Sequence, residues 1–318
     1  MRFRRQGRGG PPTGDASQWD RFREFATVRA SSRSAALVDL APVTSDVVLF
    51  VSQLDDDAVA FVRRHASDAS YVHLQHPPSL ERLAEIESRR VLITSSEALD
   101  VEPLYDLHPG VSELSLNGIV GGPGGIDVGR LRGVRRLSSS WDELDLAHGW
   151  PESMDDLFLE SFAGRSLEDL RAPAGLTSLE LTSARRLETL SGVADLGELE
   201  KLWLHGARKL TDLTPVSGLC RLRSLWFDSC TGITDLRPIA SLEGLEVLGV
   251  ADCGRIESLA PLAGLTALTR VAFSGTTSIE DGDLTPLVGL PNAEFILASR
   301  RHYRPSVHEV ERRLGQQE

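Results

Sequence analysis

Cysteine is scarce in this chain: there are three in 318 residues, Cys220, Cys230 and Cys253. So small and odd a number excludes the disulfide-dense scaffold of a small secreted protein. Long apolar runs are missing as well. The longest early one, Val47–Val51, falls far short of the ~20 residues that cross a bilayer. Arg4-Arg5 is followed by no apolar stretch, so neither a secretory nor a twin-arginine signal is read, and a cytoplasmic location is expected. Lysine is almost absent, at Lys201 and Lys209 only, and positive charge as a whole is outweighed: the net charge is −12. That excludes the broad basic footprint of a nucleic-acid binder. Arginines gather at both ends, Arg2, Arg4, Arg5 and Arg8 at one and Arg300, Arg301, Arg304, Arg312 and Arg313 at the other.

What the chain has is repetition. From residue 176 one apolar pattern returns every 23 residues: LTSLELTSARRLETLSGVADLGE (176–198), LEKLWLHGARKLTDLTPVSGLCR (199–221), LRSLWFDSCTGITDLRPIASLEG (222–244) and LEVLGVADCGRIESLAPLAGLTA (245–267). Each copy opens on L-x-x-L-x-(L/F/V), turns through polar residues, and continues with Leu, Ile or Val at three-residue steps. With the second and third apolar positions as the strand marker, the phase extends to Val271/Phe273 and Ile296/Ala298. Backwards it reaches Leu157/Leu159, Leu137/Ser139, Leu114/Leu116, Leu92/Thr94, Val72/Leu74 and Leu49/Val51. Twelve strands are expected.

The segments between strands change along the chain. Ala58, Phe61, Val62 and His65 stand at helical spacing, as do Leu80, Leu83 and Ile86. LTDLTPVSGL (210–219), ITDLRPIASL (233–242) and IESLAPLAGL (256–265) carry prolines that disfavour a long helix and favour turns or 3₁₀ pieces. Repeat arrays need covered ends. Trp19, Phe22, Phe25 and Ala26 predict a capping helix over about 17–30; Ser306 and Glu309 match a capping box that opens a helix over 306–315.

These repeats resemble the leucine-rich repeats of the short-repeat bacterial class that includes the internalins, and more loosely the SDS22-like class. The resemblance implies an α/β leucine-rich-repeat solenoid with a concave parallel β-sheet and turn, 3₁₀ or short-helix return segments, and protein binding in general. The chain departs from an internalin in lacking an export signal and in placing Ala184 and Ala207 where such repeats carry Asn. The expected organisation is a disordered basic leader (1–14), an N-terminal cap (15–45), a solenoid (46–304, degenerate over 46–175 and regular over 176–290) and a C-terminal cap helix (305–318).

In a strand, the residue between two core positions faces the other way. The expected outward ladder is Phe50, His73, Ile93, Ser115, Ser138, Phe158, Glu180, Trp203, Trp226, Gly249, Ala272 and Leu297. Trp203 and Trp226 fall on neighbouring strands, the pattern of a binding hot spot; the plainer alternative is that they stack and shield the sheet. Phe158, Glu160, Glu180, Lys201, Trp203, His205, Trp226, Asp228 and Arg270 are therefore the candidate protein-binding residues.

Other constellations carry less. Thr182, His205 and Asp228 have the composition of a hydrolytic triad, but a strand backbone engaged in a ladder has no spare donors for an oxyanion. His73 and His76 point to opposite faces of a strand, and no Gly-Lys-Ser/Thr follows the Gly121–Gly125 run. Cys230 and Cys253, one repeat apart, read as small buried apolar residues. The expectation is a monomeric, non-enzymatic protein-binding module with no cofactor or metal and no nucleic-acid or membrane partner. It would act as an adaptor or scaffold; masking of a cognate toxin by an immunity-type protein is the alternative, and a hydrolase using the His205/Asp228 row the alternative of another class.

Overall fold

A computed structural model describes residues 27–40, 46–118, 124–290 and 292–314. The chain forms two compact units, Met1–Pro123 and Gly124–Glu318.

The first unit begins with a hairpin of β1 (Thr27–Ser31) and β2 (Ala35–Asp39), and β2 runs antiparallel to β3 (Val47–Val51). Strands β4 (Tyr71–Gln75), β5 (Arg90–Thr94) and β6 (Glu113–Asn117) then add in parallel. Residues 27–30, expected at the end of a capping helix, are thus strand. The first parallel strand presents an edge of unpaired backbone groups, and the hairpin pairs with it. Trp19, Phe22, Phe25 and Ala26 lie outside the described residues, as does the leader. Between β3 and β4 stands α1 (Asp56–His65), started by Asp55, whose carboxylate accepts from the Ala58 amide at 2.9 Å. Ala58, Phe61 and Val62 are buried as the helical spacing required. Leu80, Leu83 and Ile86 are also buried, but over a single 3₁₀ turn, Leu83–Glu85, and not a helix.

The second unit carries one parallel sheet of β8 (Arg136–Ser140), β10 (Asp156–Glu160), β11 (Ser178–Leu181), β12 (Lys201–His205), β13 (Ser224–Asp228), β14 (Val247–Ala251), β16 (Arg270–Ser274) and β18 (Glu294–Leu297). Two-residue pairs, β7 (Ile126–Asp127) with β9 (Leu144–Asp145) and β15 (Arg255–Ile256) with β17 (Ser278–Ile279), form on the return side. The return segments include 3₁₀ turns, with proline near the start at Thr214–Gly218, Arg237–Ser241 and Ala260–Leu262. Near the end come a short α2 (Thr285–Val288) and α3 (Val307–Leu314). Ser306 and Glu309 bond reciprocally at the start of α3.

Every repeat adds the same buried positions. Leu202/Leu204, Leu225/Phe227 and Leu248/Val250 point inward from the strands, and Leu210, Ile233 and Ile256 meet them from the return side. Burying one such side chain contributes roughly 1.5–3 kcal/mol, so stacking, not propensity, holds the array. After β10, β11, β12, β13, β14 and β16 the backbone turns left-handed, at Ser161, Ser183, Gly206, Ser229, Asp252 and Gly275. That turn folds Ala184, Ala207, Cys230 and Cys253 beneath it, all at 0% exposure. The column where the resembling repeats carry Asn is here filled by small apolar side chains. The architecture is a leucine-rich-repeat solenoid with short return segments.

Strands stand at all twelve expected markers, and two are shifted by one residue. In β5, Val91 and Ile93 pair with Val72 and Leu74 of β4, so Leu92, not Ile93, is the ladder residue. In β18, Phe295 and Leu297 pair with Val271 and Phe273 of β16, so Ile296 takes the ladder position in place of Leu297. Both strands are apolar at successive positions, and a pattern of period two has no phase there.

Candidate functional site

In the second unit the ladder residues line up strand by strand. Phe158 pairs with Glu180, Glu180 with Trp203, Trp203 with Trp226 and Trp226 with Gly249. Each side chain from Phe158 to Trp226 is partly buried, while Lys201 and Arg270 at the margins are exposed. The two indoles meet at 5.8 Å between ring centroids, tilted by 36°. Trp226 rests on Gly249, where a side chain would collide with its ring. Trp203 Nε1 is buried without a hydrogen-bond partner. The indoles therefore form a low aromatic step across the sheet: they stack on each other and still keep a solvent-facing side.

Electrostatics divide this face. Towards β8 it is acidic. Asp156 is held by Arg136, at 2.7 Å from its Nε, whereas Glu180 has no side-chain hydrogen bond or ion pair among the described residues. Burial, with Asp156 adding to it, pushes the Glu180 carboxyl up to about 7. Glu143, in the 3₁₀ turn after β8, is likewise pushed up to about 7 by burial and by Asp142, with Glu160 contributing; its partner is Ser139 at 3.4 Å. Towards β18 the face is apolar and low: Val247, Gly249, Ala251 and Ala272, ending in Ile296, which is 56% exposed.

The structure thus brings Phe158, Glu160, Glu180, Lys201, Trp203, His205, Trp226 and Asp228 onto the adjacent strands β10 to β13. Arg270 is separated from them by β14. Sequence reasoning missed Glu143, Ile296 and the part played by Gly249. The first lies in a turn outside the strand pattern, the second was hidden by the register slip, and a glycine opposite a tryptophan was the one available signal for the third.

The row of Thr182, His205 and Asp228 does not form a relay. His205 Nδ1 accepts from the Ser183 amide at 3.5 Å, Asp228 accepts from the Ser229 hydroxyl at 2.9 Å, and no hydrogen bond joins His205 to Asp228. The geometry lends hydrolysis no support. In the first unit the ladder is closed over. His73 is at 0% and Leu92 at 1% exposure, with Leu92 in a cluster with Val38, Leu40, Val48 and Tyr71. His73 Nε2 lies 3.0 Å from the Thr94 hydroxyl, and burial, then His76, lowers its pKa to about 4. His76 itself is exposed. In the second unit, by contrast, the ladder residues Phe158, Glu180, Trp203 and Trp226 keep part of their surface exposed.

No family model and no curated protein matches the chain. Among solved structures it is similar to an internalin from Listeria monocytogenes, with a TM-score of 0.51 and 18% identity over 91% of this chain and 92% of that one. It is also similar to internalin C2 of the same organism, at 25% identity and a TM-score of 0.36, over 54% of this chain and 66% of the other. The first likeness is one of fold. No described helix is long and apolar enough to cross a membrane.

Proposed function

We propose that the protein is a non-enzymatic binding module that grips another protein through the open sheet face of its second unit, centred on Trp203 and Trp226. The observation that carries this reading is the indole pair itself. Two tryptophans side by side on parallel strands, partly exposed and bordered by Glu180, Lys201 and Asp228, make an aromatic centre with a charged margin, the composition of a protein interface. A rigid sheet loses little conformational entropy on contact, which favours a folded partner. The role is that of an intracellular adaptor or scaffold acting as a monomer. A second reading, an immunity-type protein that masks a basic toxin, draws its support from the acidic end of the face at Glu143, Glu160 and Glu180.

The test is a comparison of the wild-type protein with the Trp203→Ala/Trp226→Ala variant as bait. Proteins retained by the first and lost by the second are then measured by calorimetry. Each single substitution should weaken binding by about 2 kcal/mol or more. A double variant that folds normally and holds the same partner at wild-type affinity would place the interface elsewhere.

A further inference from the structure

Glu180 is an anomaly on this face. It is partly buried, yet no cation among the described residues meets it. Lys201, on the neighbouring strand, is exposed and forms no ion pair among the described residues, and Arg136 is committed to Asp156. On both sides Glu180 is flanked in register by an aromatic residue, Phe158 on β10 and Trp203 on β12. An unpaired carboxylate in such a setting is costly to charge, and a partner cation relieves that cost. The same aromatic rings attract a cation to their faces. Beside them the indole Nε1 of Trp203 is a buried donor with no acceptor.

Resting on the reading of this face as a protein interface, we infer that Glu180, Phe158 and Trp203 form the seat for one arginine side chain of the partner. The guanidinium binds the Glu180 carboxylate and lies against an aromatic face. Arginine fits better than lysine because its flat, weakly hydrated head pairs with a carboxylate through two parallel bonds while stacking on a ring. Charge complementarity points the same way: Glu143 and Glu160 lie at the same acidic end, in a chain of net charge −12. The apolar surface begins two strands on, at Trp226, and continues to Gly249 on the next. With strands about 4.8 Å apart, the partner's arginine should sit roughly 10 Å from an apolar side chain of its own.

The seat can be tested without the partner. Nitrogen-15-labelled protein is titrated at pH 7.5 with acetyl-Leu-Gly-Arg-amide and with the same peptide carrying citrulline, the neutral isostere. The arginine peptide should shift the Trp203 indole N–H saturably, and the citrulline peptide should bind at least about tenfold more weakly. Glu180→Gln should reduce arginine-peptide affinity to the citrulline level while keeping the wild-type spectrum elsewhere. Should arginine and citrulline peptides bind alike, or the arginine peptide bind Glu180→Gln as well as wild type, the seat is wrong. Either result leaves the indole-centred interface standing, because that is judged by the double tryptophan variant and the macromolecular partner.

Discussion

Trp226 lies flat on Gly249: a Cβ placed on that glycine would stand 2.0 Å from Cε3 of the indole. The glycine belongs to a strand and has no left-handed backbone to explain it. Its value lies in the absence of a side chain, which lets the ring settle on the sheet and hold Trp203 at its other side. Gly249→Ala should displace the indole, cost about 1–3 kcal/mol in denaturant unfolding and shift tryptophan emission. Unchanged stability together with unchanged emission would mean that the ring does not rest there.

The Glu180 carboxyl gives a pH-dependent prediction. Its folded pKa is about 7 against an ordinary 4.5, raised by burial and then by Asp156; Glu160, Lys201 and His205 are the other charged or titratable groups on the strands beside it. A raised pKa means that its contribution to stability is full below 4.5 and is lost as pH rises through 7. Glu180→Gln should therefore stabilise the protein by about 1–3 kcal/mol at pH 8 and have little effect at pH 4. Equal effects at both pH values would contradict the buried, unpaired carboxyl.

His73 acts in the opposite sense. Its folded pKa is about 4, below the ordinary 6.5, first through burial and then through His76. The unfolded chain takes up the proton more readily, so stability present above pH 6.5 is lost as pH falls through 4, by about 3 kcal/mol in all. Urea unfolding at a series of pH values, compared with His73→Gln, isolates this slope. If the slope persists in the variant, another group is responsible.

Among the thiols, Cys220 is exposed, and Cys230 and Cys253 are fully buried. Cys230 Sγ lies 3.3 Å from the Leu204 carbonyl oxygen, and hydrogen bonding with Cys230, together with burial, holds the Cys253 thiol protonated well above the ordinary range. A thiol reagent should modify Cys220 at once and the other two only on unfolding. Cys230→Asp should destabilise by several kcal/mol, since it buries an unpaired charge. Rapid modification of all three in the folded protein would overturn this placement.

Register at the last strand is open to a direct test. Ile296 occupies the exposed ladder position and Phe273, one strand back, the core. Ile296→Ser should alter stability by no more than about 0.5 kcal/mol, whereas Phe273→Ala should cost about 3–5 kcal/mol. Comparable losses would return Ile296 to the core.

The sequence by itself determined the repeat unit, the twelve strand positions, the inward leucines and the burial of Cys230 and Cys253. A solenoid repeats one local solution, and a core position read in one copy holds in the next. It also placed Trp203 beside Trp226, because a strict 23-residue step puts equivalent residues on neighbouring strands. Only the tertiary structure decided the phase of β5 and β18, where VLI and FIL are apolar throughout and pairing with a neighbour chooses the face. It alone showed the hairpin along β3, since an edge is satisfied by whichever segment reaches it. And it alone showed that Glu180 meets no cation among the described residues and that Trp226 rests on Gly249. Both depend on how side chains from different repeats meet in space, and a period along the chain carries no information about that.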